Sequence, residues 1–100
     1  NSMKEAVPSV TVGKKVSDGR IVLDCTVSNE TDSPMVNLRL LVLDARTGER
    51  VLPVDYEDNY ISLIPGRERK IKVSFDSSSC KSGRYELYIE GWNVPRTKIK

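Results

Sequence analysis

Residues 21–27 of the chain read Ile-Val-Leu-Asp-Cys-Thr-Val. Apolar side chains occupy every second position of this stretch, at Ile21, Leu23, Cys25 and Val27. A period of two is typical of a β-strand with one face in a core and the other in water. The dipeptide Asp18-Gly19 stands just before the stretch and predicts a tight hairpin turn. The stretch is therefore expected to pair with an earlier strand over residues 10–16.

The same alternation returns in several short segments further along the chain, and turn residues separate them. Residues 35–43 differ because they are apolar on both phases, which a buried helix would also explain. Their β-branched content and their abrupt end at the turn over residues 44–48 favour a central strand. About seven strands and no helix are expected, so the pattern predicts one all-β domain, either a sandwich or a small barrel.

Size and charge exclude several classes of protein. One hundred residues suit one domain, whereas a barrel enzyme scaffold needs about 200 or more. The chain has 16 basic and 14 acidic residues, a net charge of +2 that is too balanced for a typical nucleic-acid binder. No apolar run reaches the length of a membrane span. We therefore expect neither a nucleic acid nor a membrane as a partner.

The domain is expected to fill most of the chain. Residues 1–3 (Asn-Ser-Met) are predicted to be an expression scar, residues 4–95 the sandwich, and residues 96–100 a basic C-terminal tail. Cys25 lies in the apolar phase of a strand and is interpreted as a core residue. Cys80 follows a run of serines in a polar loop, so two free thiols are expected rather than a bridge.

The composition removes most catalytic chemistry. The chain has no histidine, which is the commonest general base and a common metal ligand. We predict no catalytic residue, no cofactor and no metal site. Asp55, Glu57 and Asp58 could bind calcium through their carboxylates, but their spacing matches no known calcium loop. Solvated loop carboxylates are the favoured interpretation.

Aromatic residues are the remaining candidates for a binding site. Tyr56, Tyr88 and Trp92 are predicted as contacts for a sugar or for a neighbouring domain. The alternative, which the pattern favours, is that these side chains fill core space or cap strand ends. Tyr88 fits that alternative least, because alternation places it opposite Leu87 and Ile89, on the charged face.

Two segments of the second half resemble a known domain. Residues 56–66 read Tyr-Glu-Asp-Asn-Tyr-Ile-Ser-Leu-Ile-Pro-Gly, and residues 89–94 read Ile-Glu-Gly-Trp-Asn-Val. Both resemble stretches of the C-terminal immunoglobulin-like domain of glycoside hydrolase family 2 enzymes, of the β-mannosidase and exo-β-glucosaminidase type. Within the first segment we expect four residues to be structural. Asp58 and Asn59 would shape an entry turn, and Pro65 and Gly66 would reverse the chain.

The resemblance implies an immunoglobulin-like antiparallel β-sandwich that serves as an accessory domain. In that family the catalytic glutamates lie in a separate (β/α)₈ barrel, so nothing catalytic is carried over to this chain. The implied partners are the other domains of a parent glycosidase, through apolar surface such as Leu41, Leu43 or Tyr88, and an oligosaccharide if the domain borders the cleft. A bacterial parent would be expected in the periplasm or outside the cell.

Two alternatives stay open. One is a carbohydrate-binding module that uses Trp92. The other is an unrelated immunoglobulin-like adhesion or interaction domain, since one fold serves many functions.

Overall fold

The computed structural model describes residues 6–58 and 60–99. The predicted scar at residues 1–3 and the motif residue Asn59 lie outside these ranges. In the described part of the chain the strands are β1 (Ser9–Ser17), β2 (Arg20–Ser28), β3 (Met35–Asp44), β4 (Asp55–Tyr56), β5 (Ile61–Leu63), β6 (Glu68–Asp76), β7 (Tyr85–Gly91) and β8 (Val94–Lys98). One 3₁₀ turn, Ser77–Ser79, follows β6.

The strands form two antiparallel sheets. The first sheet has the order β1-β2-β6-β4 and the second the order β5-β3-β7-β8. Their inner faces share one core, in which Phe75 of β6 and Leu87 of β7 are fully buried. The predicted all-β sandwich is confirmed. The described residues hold eight strands rather than about seven. Neither β4, which has only two residues, nor β8 gives a periodic signal in the sequence.

The predicted hairpin joins β1 to β2. Ser17 pairs with Arg20, so only two residues form the loop. Asp18 and Gly19 both have positive φ, at 50° and 75°. That combination gives the type I′ turn, whose twist suits a β-hairpin.

Residues 35–43 form the predicted central strand, since β3 lies between β5 and β7. Leu40 and Val42 point into the core, while Leu41 and Leu43 lie on the outer face but are only 1% and 8% exposed. Leu41 lies opposite Tyr88, and Leu43 lies opposite Glu86. Long polar side chains can cover apolar neighbours in this way. These two leucines therefore offer no apolar docking surface, contrary to the expectation.

The region expected as a basic tail is mostly a strand. Residues 96–98 belong to β8, where Thr97 pairs with Ile89 and Lys98 with Tyr88. Arg96 forms an ion pair with Glu90, and Lys98 forms one with Glu86. Pro95 and the charged side chains are usual on an edge strand, and they hide the apolar alternation that sequence analysis relies on.

Residues 64–67 form the predicted Pro-Gly turn. The Arg67 N–H donates to the Ile64 carbonyl at 3.2 Å, and Gly66 has a φ of 82°. Proline followed by a positive φ at glycine is the type II turn. The Gly66 N–H also donates to the Asn29 carbonyl at 2.9 Å, which attaches this turn to the loop after β2.

Asn29 is a completely buried polar residue in that loop. Its side-chain amide donates to the carbonyls of Ser33 at 2.8 Å and Leu63 at 2.9 Å. Its side-chain oxygen accepts hydrogen bonds from the amide and the hydroxyl of Thr31. The side chain thus satisfies backbone groups that burial would otherwise leave unpaired.

Asp44 likewise binds backbone groups through its side chain, at the end of β3. Its carboxylate accepts hydrogen bonds from the Ser82 hydroxyl at 2.7 Å, the Ser82 N–H at 3.0 Å and the Arg46 N–H at 2.9 Å. These donors, Ser82 above all, hold the pKa of Asp44 well below its ordinary value. Cys80, expected in a polar loop, is buried beside this carboxylate, with its Sγ 3.6 Å from Asp44 Oδ2. Both cysteines are free thiols, as predicted.

Candidate functional site

Two exposed aromatic side chains line one groove at the side of the second sheet. Trp92 is 70% exposed and Tyr60 is 62% exposed. With Asn37, Arg39, Glu90 and Gly91 they enclose about 180 Å³. We call this feature the Tyr60–Trp92 groove. Large aromatic surfaces are seldom left in water without a role, and neighbouring ones form a candidate contact surface.

The backbone on both sides of Trp92 fixes its position. The Trp92 N–H donates to the Val36 carbonyl at 2.9 Å. The buried Asn93 side chain accepts from the Val36 N–H at 3.1 Å and donates to the Pro34 carbonyl at 2.6 Å. Gly91 approaches the same segment so closely that an added Cβ would lie 2.8 Å from the Val36 oxygen. The motif Gly91-Trp92-Asn93 therefore clamps the start of β3 and leaves the indole outside.

Tyr60 owes its position to an irregular backbone. Its φ is 61°, and Asn37 across the groove has a φ of 53°. Asn37 lies where the register between β3 and β5 shifts, between Met35 and Leu38. Its N–H donates to the Ser62 hydroxyl at 3.3 Å. Bulges of this kind redirect side chains next to binding sites.

An ion pair lies beside the two aromatic rings. Arg39 Nε and Nη2 contact Glu90 Oε2 at 2.8 and 2.6 Å, and Arg96 Nε contacts Glu90 Oε1 at 2.8 Å. Arg39 also donates to the Tyr60 hydroxyl at 3.2 Å, with its guanidinium carbon 5.9 Å from the ring centroid. Arg96 and Arg39 lower the pKa of Glu90. Such a carboxylate stays ionised and is a poor proton donor, so the groove suits binding rather than acid catalysis.

Comparison with known proteins identifies the family. Residues 1–94 match the family described as the exo-beta-D-glucosaminidase Ig-fold domain. The chain belongs to this family.

Similar proteins are much longer than the chain. The exo-beta-D-glucosaminidase of Arthroderma benhamiae is 31% identical over 81 residues, which is 81% of this chain and 9% of that protein. The enzyme of the same name from Hypocrea jecorina is 31% identical over 105 aligned residues, covering all of this chain and 11% of that protein. The mannosylglycoprotein endo-beta-mannosidase of Lilium longiflorum is 46% identical over 44 residues, 44% of this chain and 4% of that protein. The chain thus spans about a tenth of the glucosaminidases it matches.

A solved structure confirms the fold. The exo-chitosanase CsxA of Amycolatopsis orientalis superposes with a TM-score of 0.84 over 96% of this chain and 12% of that protein, at 24% identity. The predicted immunoglobulin-like sandwich and the family assignment are therefore both confirmed.

The Ig-fold domain separates the three aromatic residues predicted from sequence. Trp92 lies in the groove. Tyr88 lies on the outer face of the second sheet, half-buried, and its hydroxyl donates to Glu86 at 2.9 Å. Tyr56 packs against the core, and its hydroxyl accepts a hydrogen bond from the Val42 N–H at 3.2 Å. Burial raises the pKa of Tyr56. Tyr60, which sequence analysis did not select, is the aromatic partner of Trp92.

Two carboxylates of the 55–58 segment form ion pairs. Asp58 contacts Arg69 on β6, and Asp55 contacts Arg20 on β2. Within residues 6–58 and 60–99, no three potential metal-binding side chains come together. The same ranges contain no helix long and apolar enough to cross a membrane.

Proposed function

We propose that this Ig-fold domain is a non-catalytic, C-terminal accessory domain of a family 2 β-glycoside hydrolase that degrades carbohydrate. The observation that carries the proposal is the family match over residues 1–94 together with the small share, about a tenth, of the related glucosaminidases that the chain spans. The groove chemistry supports it, because Glu90 is held ionised by two arginines. Glycoside hydrolysis needs a second carboxyl group that can donate a proton.

Hydrolysis of p-nitrophenyl β-D-glucosaminide and β-D-mannoside tests the non-catalytic role. The 100-residue chain is expected to release no more nitrophenol than buffer does. A longer polypeptide that carries this domain and the barrel is expected to hydrolyse one of the two substrates. Turnover by the chain alone that Glu90→Gln abolishes would overturn the proposal.

A second function is favoured by the exposure of Trp92 and Tyr60. We infer that the groove contacts an oligosaccharide at the border of the parent's cleft. The groove is lined by two aromatic side chains, an arginine and an asparagine, which provide apolar surface for a sugar ring and donors for its hydroxyls. The predicted contacts Tyr56 and Tyr88 do not line this groove, so the inference rests on Trp92 and Tyr60.

Titration of tryptophan fluorescence tests this contact, because Trp92 is the only tryptophan of the chain. Manno- and glucosamine-oligosaccharides are expected to change its emission at around millimolar concentration. Tyr60→Ala is expected to weaken binding by about two- to tenfold. Tyr88→Ala, which removes an aromatic ring outside the groove, is expected to leave the titration unchanged. An unchanged emission, or equal effects of the two variants, would contradict the contact.

A further inference from the structure

The charged groups beside the Tyr60–Trp92 groove do not balance one another. Glu90 on β7 pairs with Arg39 on β3, and Arg96 on β8 reaches the same carboxylate from the neighbouring strand on the other side. The side chains of Arg39 and Glu90 are 26% and 23% exposed, and that of Arg96 is 51% exposed. One carboxylate therefore faces two guanidinium groups, and the cluster of these three residues has an excess of positive charge.

Both oxygens of the Glu90 carboxylate already contact a cation. Oε2 accepts from Arg39 Nε at 2.8 Å and lies 2.6 Å from Arg39 Nη2, and Oε1 accepts from Arg96 Nε at 2.8 Å. A ligand cation near either oxygen would lie beside a guanidinium group of like charge, which opposes binding. Glu90 lines the groove, but it is therefore a poor site for an ammonium group.

Arg39 extends the positive charge to the aromatic side of the groove. Its Nη1 donates to the Tyr60 hydroxyl at 3.2 Å, and its guanidinium carbon lies 5.9 Å from the centre of the Tyr60 ring. An ammonium group can bind an aromatic face, but at Tyr60 it would share the ring with this guanidinium group. A hydroxyl group is uncharged and can both donate and accept, so it meets Arg39 and Glu90 without repulsion.

We infer that the groove selects sugars by charge: it takes a neutral hexopyranose and binds a protonated amino sugar more weakly, and Arg96 sets this preference. The inference rests on the oligosaccharide contact proposed above. Arg96 is not among the residues that line the groove, so it acts through Glu90. Without Arg96, the charges of Arg39 and Glu90 balance, and Glu90 Oε1 becomes available to an ammonium group.

Two disaccharides that differ only in charge test the preference. Cellobiose carries hydroxyl groups where the β-1,4-linked disaccharide of glucosamine carries two ammonium groups at pH 6, because an amine with a pKa of about 8 is protonated there. Glu90 stays ionised at this pH, since Arg96 and Arg39 lower its pKa. Trp92 emission is followed at about 10 mM salt, where charges are weakly screened. Cellobiose or β-1,4-mannobiose is expected to bind at least about threefold more tightly than the glucosamine disaccharide.

Two variants of β8 provide a matched control. Arg96→Gln is expected to reduce the ratio of the two affinities by about threefold or more, mainly because the glucosamine disaccharide binds more tightly. Lys98→Gln removes the same charge two residues along the strand, where Lys98 pairs with Glu86 at 2.6 Å. This variant is expected to leave the ratio nearly unchanged. A purely structural effect of Arg96 would alter the binding of both sugars equally and leave the ratio as it is.

The outcomes separate this inference from the function on which it rests. If the glucosamine disaccharide binds as tightly as the tighter neutral one, as a dominant cation–π contact with Trp92 would produce, the selection by charge is wrong and the oligosaccharide contact stands. Equal effects of Arg96→Gln and Lys98→Gln on the ratio would overturn the role of Arg96. If none of the three disaccharides changes the emission, the oligosaccharide contact fails and this inference fails with it.

Discussion

Gly91 provides the sharpest test of the clamp that holds Trp92. A Cβ at this position would lie 2.8 Å from the Val36 oxygen, 3.2 Å from Leu38 Cδ2 and 3.4 Å from the Asn37 oxygen. Two of these atoms belong to the backbone, so Gly91→Ala forces β3 and β7 apart. Overpacking of this kind costs about 1–3 kcal/mol. Replacing a strand glycine by alanine stabilises the fold by only about 0.5–1 kcal/mol, because less backbone entropy is lost on folding. The clash is therefore expected to win, with a net loss of about 1–2 kcal/mol.

Urea unfolding followed by Trp92 emission measures this loss. With an unfolding slope of about 2 kcal/mol per molar urea, the midpoint is expected to fall by roughly 0.5–1 M. The melting temperature is expected to fall by roughly 5–15 °C for a domain of this size. The native emission is also expected to change, because the clamp fixes the surroundings of the indole.

Gly13 is the matched control for this substitution. It lies in edge strand β1, and a Cβ there would have its nearest neighbour, the Asp24 oxygen, at 4.0 Å. Gly13→Ala removes the same flexibility without a clash, so the free energy of unfolding is expected to stay equal or to rise by up to about 1 kcal/mol. Equal stability of the two alanine variants would refute the close approach at Gly91.

Three further predictions concern buried polar groups and thiols. Asn29→Ala leaves the Leu63 and Ser33 carbonyls without their buried donor, so urea denaturation is expected to show a loss of about 2–3 kcal/mol. The pKa of Asp44 in the fold lies below its value of about 4 in the unfolded chain, so the ionised carboxylate stabilises the fold above about pH 4. This stabilisation is lost as the pH falls below about 4. The melting temperature of Asp44→Asn is therefore expected to depend less on pH between about 4 and 2 than that of the wild type. A stability equal to wild type for Asn29→Ala, or an unchanged pH dependence for Asp44→Asn, would contradict these assignments. Burial raises the pKa of Cys25 to about 11, so iodoacetamide at pH 8 is expected to label it only after unfolding, and rapid labelling of the native chain would show that it is accessible.

Sequence alone predicts the strands that have one wet face. In β2 the alternation of Ile21, Leu23 and Cys25 is intact, and Asp18-Gly19 specifies the hairpin without help from the rest of the fold. Strand β8 was missed because Pro95, Arg96 and Lys98 carry no apolar period. Its place is set by pairing with β7 and by two ion pairs, which are tertiary contacts.

The sequence pattern did not predict which polar residues are buried, for a related reason. Asn29, Asp44 and Asn93 all read as loop or turn residues in the sequence, because short polar side chains favour turns. In the structure each is nearly or fully buried, since its side chain pairs with groups of a distant segment. The local sequence shows that these residues prefer turns. It does not show the distant hydrogen-bonding group that allows each side chain to be buried.

The residues of the Tyr60–Trp92 groove lie where the period-two alternation of the strands is interrupted. Trp92 follows Gly91, where the pairing of β7 with β8 shifts register, and Tyr60 and Asn37 have positive φ. Each irregularity costs local stability, because a side chain with positive φ is strained. Hydrogen bonds that the β3 backbone N–H groups of Val36 and Asn37 donate to the side-chain oxygens of Asn93 and Ser62 offset that cost. Alternation therefore assigns the core, and the positions that break it place two exposed aromatic side chains in one groove. A sequence search for sites in such domains should begin at glycines and asparagines that interrupt a strand beside an aromatic residue.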